Sequence, residues 1–372
     1  MAWRYHNPVQ IEFGAGAFAT LPQLIGNRRY GVITYPDEMF RALTERLEAE
    51  AGVPVIVVND VDANPDYQEL GPQTARISQA ETPEVWIALG GGSVIDSTKV
   101  FAAANGDFAN VQRFLETKSG ADALSATPII AVPTTAGTGS EVTCWATVWD
   151  RETGRKHSLA RPDLYPEYAV VDPELMLGKP RGLTISTGLD ALSHALESIW
   201  NVNANPVSAS HAVTAAREAM AVLPLLADDL GNLDLRARIA FASLSAGLAF
   251  SNTKTAIAHS LSYPVTLRHG VAHGIACSFT LPLVMNSVRG IGGLSADALE
   301  RVFDADIAGA PARLSELLER LGVSANPAAH GVGQDEWTEI VTDALDGERG
   351  KNFIGNKDEF IRTAREWAAT GT

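Results

Sequence analysis

The feature that most constrains the fold is a junction. The apolar run Val85–Leu89 passes directly into Gly90-Gly91-Gly92-Ser93, and a helical period, Val94–Ala104, begins at once. A strand that ends on glycines and turns into a helix is half of a parallel β/α unit, and the surrounding chain repeats the alternation. Val9–Phe13, Tyr30–Thr34, Val53–Val58, Ile129–Val132, Thr143–Trp149 and Ala169–Val171 read as further strands. Met39–Glu50 and a stretch ending near Ala80 read as helices between them, while Arg155, Lys156 and His157 fall in a polar loop. From about Pro180 the strand signal disappears. Alanine- and leucine-rich periods at Gly188–Trp200, Ser208–Leu226, Leu235–Leu261, Ala310–Leu321 and Glu336–Leu345 predict helices only. The expected architecture is an α/β N-terminal domain with a mostly parallel sheet, residues 1–179, followed by an all-α C-terminal domain, residues 180–372. The junction falls at Gly178–Arg181, where Gly-Lys-Pro-Arg interrupts both patterns.

A net charge of −15 argues against nucleic acid or an anionic membrane as partner, because a long-range negative field repels phosphate. An anionic ligand must find a local positive pocket. Two cysteines, Cys144 and Cys277, are too few for a disulfide framework, and the expected location is the cytoplasm. No stretch reaches the roughly 18 apolar residues of a membrane span.

Glycines at the end of a strand let the backbone approach a phosphate, and the following helix N-terminus offers free N–H donors. A dinucleotide pyrophosphate suits Gly90–Ser93, although the pattern is not GxGxxG and a bare tight turn has the same composition. A second loop, Thr134–Ser140, follows another strand with hydroxyls and two glycines, suited to ribose, phosphate or an amide; alone it could be a helix cap. Two such loops at the carboxyl ends of strands in one α/β half favour a ligand at that edge.

In the helical half, Asp190 and His194 are four apart, which stacks a carboxylate and an imidazole on one helix face. Further imidazoles follow at His259, His269 and His273. Pro264 is expected to end the helix carrying His259, and Gly270 to let a new one start near His273. One carboxylate with three imidazoles suits Fe²⁺ or Zn²⁺. Spacing leaves His269 and His273 as alternatives for the last ligand.

With Gly90–Lys99 (Gly-Gly-Gly-Ser-Val-Ile-Asp-Ser-Thr-Lys), Pro133–Glu141 (Pro-Thr-Thr-Ala-Gly-Thr-Gly-Ser-Glu), Gly188–His194 (Gly-Leu-Asp-Ala-Leu-Ser-His) and His259 with His273, the chain resembles the iron-containing (group III) alcohol dehydrogenases from about Phe13 to at least Pro282. The resemblance implies a metal in a cleft between the two domains, with Asp190, His194, His259 and His273 as ligands, and NADH or NADPH as cofactor. It places Asn64, Gly91, Gly92, Ser93, Asp96, Thr134, Thr135, Thr138 and Leu175 at the dinucleotide and Lys156 near the metal, orienting substrate or neutralising charge. Two departures stand out. Thr34-Tyr35-Pro36 replaces the aspartate with which many relatives face the adenosine ribose, so the cofactor preference stays open. Tyr263 replaces a histidine four residues after the His259 position and is a candidate proton donor, with His269 as another catalytic candidate.

The run from His259 to Pro264, followed by His273-Gly-Ile-Ala-Cys-Ser-Phe-Thr-Leu-Pro, looks most like the phosphonoacetaldehyde reductase branch. That implies reduction of a small carbonyl, phosphonoacetaldehyde to 2-hydroxyethylphosphonate, with Lys156, Lys254, Arg268 and His269 as cationic partners of the phosphonate. Phosphonopyruvate, lactaldehyde or a simple aldehyde are the alternative substrates, and a dehydroquinate-synthase-like lyase the alternative reaction. A homodimer is the default assembly.

Overall fold

The structure is a computed structural model that describes residues 2–153 and 155–370, with the side chains of 369 and 370 left out. The chain divides into two compact units. One comprises Asn7–Thr135 and Ser140–Met176; the other comprises the residues before Asn7, Ala136–Gly139 and the chain from Leu177 onward.

The first unit is built on strands β1 (Gln10–Phe13), β2 (Tyr30–Ile33), β3 (Ile56–Val58), β4 (Val85–Gly90), β5 (Ile129–Pro133), β6 (Trp145–Asp150), β7 (Arg155–Ala160) and β8 (Tyr168–Val171). Among the described residues six of them form one sheet in the order β1-β8-β5-β4-β2-β3, with all pairings parallel. Both β4 and β5 are buried at every residue, which is why they read as continuous apolar runs. Alternate residues serve opposite faces: Trp86 and Ala88 pack with Val94 and Val100 on one side, Ile87 and Leu89 with Val32 and Val170 on the other. The chain runs from β2 outward to β3, then crosses back to β4 and builds in the other direction. The strand order therefore reverses between β2 and β4, and the crevice beyond their carboxyl ends is where sheets of this kind take ligands.

Two details differ from expectation. The strand expected from Val53 begins at Ile56; Pro54 has no N–H to give a ladder and Val53 is 76% exposed. Arg155, Lys156 and His157 lie not in a loop but in β7, which pairs antiparallel with β6, Lys156 opposite Trp149. Arg155 and His157 share a face with the fully buried Leu159, while Lys156 points to the other; all three remain at least partly exposed, which is why the stretch reads as polar.

The second unit is helical. Arg181–Ile199 is buried along nearly its whole length, as expected of a helix wrapped by others rather than laid on a surface. Pro206–Asp228 and Leu233–Thr253 pack against it. The single helix expected over Leu235–Leu261 is two, because Lys254 takes a left-handed φ of 63° and caps the first; Ile257–His269 follows. Pro264 does not end that second helix, contrary to expectation. Its neighbours Leu261 and Val265 are fully buried, and their packing outweighs the roughly 3 kcal/mol that an interior proline costs. Gly270, at φ 67°, does terminate it, and His273–Ser278 starts afresh. Leu281–Val288, Leu294–Val302, Ala310–Leu321, Gln334–Asp346 and Lys357–Thr370 complete the unit. No described helix is long and apolar enough to cross a membrane.

Candidate functional site

Helix packing brings Asp190, His259 and His273 together. Asp190 and His194 share a face of Arg181–Ile199; His259 lies in the first turn of Ile257–His269, and His273 opens the next helix. The last approach depends on Gly274. A Cβ there would stand 1.8 Å from the Ser186 carbonyl oxygen and 3.0 Å from the Asp190 Cβ, so only glycine lets the His273 helix come this close. One ligand atom each from Asp190, His259, His273 and Cys277 falls within 4.8 Å of the others. Ligands about 2 Å from a common ion stand about 3.3 Å apart in a tetrahedron, so a small inward adjustment of these side chains would close them on one ion. His194 lies beside the group rather than in it. Its Nε2 is 4.0 Å from Asp190 Oδ1, and its ring stacks between those of His259, at 4.4 Å, and Phe250, at 4.1 Å.

Asp190 Oδ1 and His259 Nε2 are 3.5 Å apart, buried, and without a hydrogen-bond partner among the described residues. Leaving two such atoms unsatisfied is costly, and a cation facing both removes the cost. The residues present therefore fit a divalent ion of the Fe²⁺ or Zn²⁺ type. Their other atoms are already engaged. His259 Nδ1 meets Glu197 Oε2 at 2.6 Å and His194 Nδ1 meets the Gly137 carbonyl oxygen at 3.3 Å, so in each ring Nε2 is the nitrogen left for an ion. Burial pushes His194 down to about 4, keeping it neutral as a ligand must be.

Glu197 and Cys277 were not expected from the sequence. Glu197 is fully buried and also accepts the backbone N–H groups of Ala256, Ala258 and His259, capping the His259 helix from another helix. Its signal was available: Asp190, His194 and Glu197 follow the i, i+4, i+7 spacing of one helix face. Cys277 is four residues after His273 on the same short helix, its Sγ 3.6 Å from His273 Nε2.

The remaining residues expected at this site divide. Tyr263 stacks on His273 with ring centres 6.2 Å apart and planes 5° from parallel. Lys254 is exposed in the turn before the His259 helix. Arg268 and His269 are not brought to the centre: they end the helix that His259 begins, about 15 Å along it. There Glu336 takes both, at 3.3 Å and 3.0 Å. Lys156 belongs to the first unit, with Nζ 5.1 Å from the Trp149 ring centre, and its charge acts on Asp96.

In the first unit the loop residues converge beyond β2, β4 and β5. Gly90 and Pro133 are register partners, so the glycine loop and the threonine loop begin side by side. Gly92 opens the helix Gly92–Ala104, and Ser93 Oγ accepts the N–H of Asn64, itself left-handed at φ 63°. Thr135 and Tyr35 border Gly91, where a Cβ would meet Thr135 Oγ1 at 3.1 Å and the Tyr35 hydroxyl at 3.7 Å. Thr134 Oγ1 is buried with no partner among the described residues. Thr138 belongs to the short segment grouped with the helical unit. Asp96 and Leu175, expected at the dinucleotide, both have partners within the protein. Asp96 accepts from Ser140 Oγ at 2.6 Å and from Thr147 N–H at 2.8 Å, and Leu175 packs in the core with Leu89 and Val132. Lys99, fully buried, donates to the Ser140 carbonyl and hydroxyl, Thr143 and the Trp145 carbonyl, at 2.7–3.1 Å. Burial lowers its pKa to about 8.

A parallel sheet with glycine and threonine loops at its switch point, and a helical unit carrying a carboxylate–imidazole cation site, define a metal-dependent oxidoreductase. Residues 8–173 match the family model described as iron-containing alcohol dehydrogenase, and residues 184–363 match that of the C-terminal part of the Fe-containing alcohol dehydrogenase family. The chain belongs to the iron-containing alcohol dehydrogenase family. Phosphonoacetaldehyde reductase of Streptomyces viridochromogenes is 35% identical over 281 residues, covering 72% of this chain and 70% of that protein. The 1,3-propanediol dehydrogenase of Klebsiella pneumoniae is 32% identical, covering 73% and 72%. Sulfoacetaldehyde reductase of Bifidobacterium kashiwanohense, solved in complex with NAD+, superposes with a TM-score of 0.89 at 28% identity over 100% of both chains.

Proposed function

We propose that this enzyme reduces a small aldehyde carrying an oxyanion group to the corresponding alcohol, phosphonoacetaldehyde to 2-hydroxyethylphosphonate being the first candidate. Residues 1–179 bind NADH or NADPH, and residues 180–372 hold a divalent ion, Fe²⁺ or alternatively Zn²⁺, through Asp190, His194, His259 and His273. The observation that carries this reading is the pair of orphaned atoms, Asp190 Oδ1 and His259 Nε2, 3.5 Å apart in a buried cluster of imidazoles. Two similar proteins, the phosphonoacetaldehyde and sulfoacetaldehyde reductases, are named for an acetaldehyde bearing an oxyanion, which supports the substrate class.

When bound, the ion would act as Lewis acid on the carbonyl oxygen and the reduced nicotinamide would supply the hydride. The chain does the rest. Backbone N–H groups at Gly91–Ser93 receive the pyrophosphate, and Thr134 Oγ1 donates to the cofactor. Glu197 fixes the His259 tautomer. Tyr263, stacked on His273, offers a hydroxyl from which the nascent alkoxide takes a proton.

The test is an anaerobic assay of the iron-loaded protein with phosphonoacetaldehyde, sulfoacetaldehyde and acetaldehyde, following nicotinamide absorbance with each cofactor. Net oxidation of NADH or NADPH, fastest with an anionic aldehyde, is expected. No net oxidation with any aldehyde would overturn the reductase reading in favour of a lyase, and a preference for acetaldehyde would remove the oxyanion.

A further inference from the structure

An anionic substrate of a protein with net charge −15 needs a cation that no carboxylate already neutralises. Arg268 and His269 fail that requirement, because Glu336 holds both and Glu339 lies 3.6 Å from Arg268. Arg349 meets it. It is half-buried, its Nε donates to Thr255 Oγ1 at 2.8 Å, and its Cζ stands 5.0 Å from the centre of the Tyr263 ring. Among the described residues it forms no ion pair, and its two Nη atoms carry no hydrogen bond.

The surroundings hold this guanidinium in place. Gly350, the next residue, packs so tightly that a Cβ would fall 2.2 Å from the Ala344 carbonyl oxygen, which fixes the backbone beneath Arg349. Thr255 lies in the turn between Leu233–Thr253 and Ile257–His269, and that turn is pinned at both carbonyls. Asn201 donates to Lys254 O at 3.1 Å, and Asn352 to Thr255 O at 2.9 Å. Lys254 in the same turn is exposed and forms no ion pair among the described residues, although its charge also acts on Glu348. The neighbouring acid, Glu348, is taken by Lys351 at 2.5 Å. Tyr263, on which Arg349 rests, is the residue stacked on His273.

We infer that Arg349, assisted by Lys254, is an anion subsite beside the metal centre that receives the phosphonate, sulfonate or carboxylate end of the substrate. The free edge of a guanidinium whose Nε is already fixed presents parallel N–H donors, the geometry that matches an oxyanion bidentately. This assignment rests on the reading that a small anionic aldehyde is the substrate.

The experiment compares the full-length iron-loaded enzyme with Arg349→Gln, Arg349→Lys and Lys254→Gln. One measurement is calorimetric binding of methylphosphonate, which needs no turnover. The other is the ratio of kcat/KM for phosphonoacetaldehyde to that for acetaldehyde. Loss of charge-assisted hydrogen bonds is expected to weaken methylphosphonate binding by about 10- to 100-fold in Arg349→Gln and to lower the ratio by a similar factor, with partial rescue in Arg349→Lys and a smaller loss in Lys254→Gln. A wild type that does not bind methylphosphonate, or an Arg349→Gln variant that binds it equally well and keeps the ratio, would overturn the subsite. Binding that depends on Arg349 without reduction of any aldehyde would leave the subsite standing and remove the reductase reading.

Discussion

Glu197 receives the Nδ1–H of His259 at 2.6 Å while the same carboxylate caps the helix on which His259 stands. Orientation of the imidazole and position of its backbone thus have a common origin. Glu197→Gln keeps the shape but can no longer accept at both oxygens, so affinity for the ion should fall about 10- to 100-fold. Competition with a chelator measures this, and an unchanged affinity would reduce Glu197 to a cap.

Gly274 is the second support. In Gly274→Ala the new methyl must displace the Ser186 carbonyl, and overpacking of this kind costs about 1–3 kcal/mol or more. A lower Tm together with loss of bound metal is expected. Gly290→Ala, where a Cβ meets nothing within 4 Å, is the control and should change neither.

His194 and Cys277 compete for one role. His194→Ala should abolish metal retention, whereas Cys277→Ser should retain the ion, as measured by elemental analysis after gel filtration. The opposite pattern would make Cys277 the fourth ligand and exclude His194.

Thr134 Oγ1 has no partner among the described residues, so Thr134→Val should leave the unfolding midpoint unchanged or slightly raised. NADH affinity, followed by fluorescence titration, should fall by roughly 10-fold. A lower midpoint with unchanged affinity would show that the hydroxyl serves the fold.

Glu141 sets a pH dependence. Burial pushes its carboxyl up from 4.5 to about 7, against the opposing charge of Lys99. The folded chain then holds this proton to higher pH than the unfolded chain does, so its contribution to stability declines as pH rises from about 4.5 through about 7 and is level above that. Glu141→Gln should gain stability over the wild type across that window, by on the order of 3 kcal/mol at most. Urea midpoints at a series of pH values test this, and a difference that does not vary with pH would sink it.

The parts of the site legible in the sequence were those with short-range grammar. Asp190 and His194 announce themselves because one helical turn is a fixed spacing, and Gly90–Ser93 because strand, glycine and helix follow without a gap. What the sequence concealed depends on distant partners. Nothing near Arg268 and His269 shows that Glu336, on another helix, will claim both, and nothing around Arg349 shows that Tyr263 and Thr255 will lie beside it. Pro264 misled for a related reason: a local rule about proline yields when burial of Leu261 and Val265 supplies more than the lost hydrogen bond. Asp96 and Leu175 lie in or near the same motifs, but their contacts with Ser140, Thr147, Leu89 and Val132 are long-range and could not be read from the motif.

The buried ammonium of Lys99 has a consequence for how this enzyme would fail. Through Ser140 it reaches the end of the threonine loop, and through its own helix it stands behind the glycine loop. Damage to that single charge would loosen both loops at once, so heat or mutation there should disorder the two together.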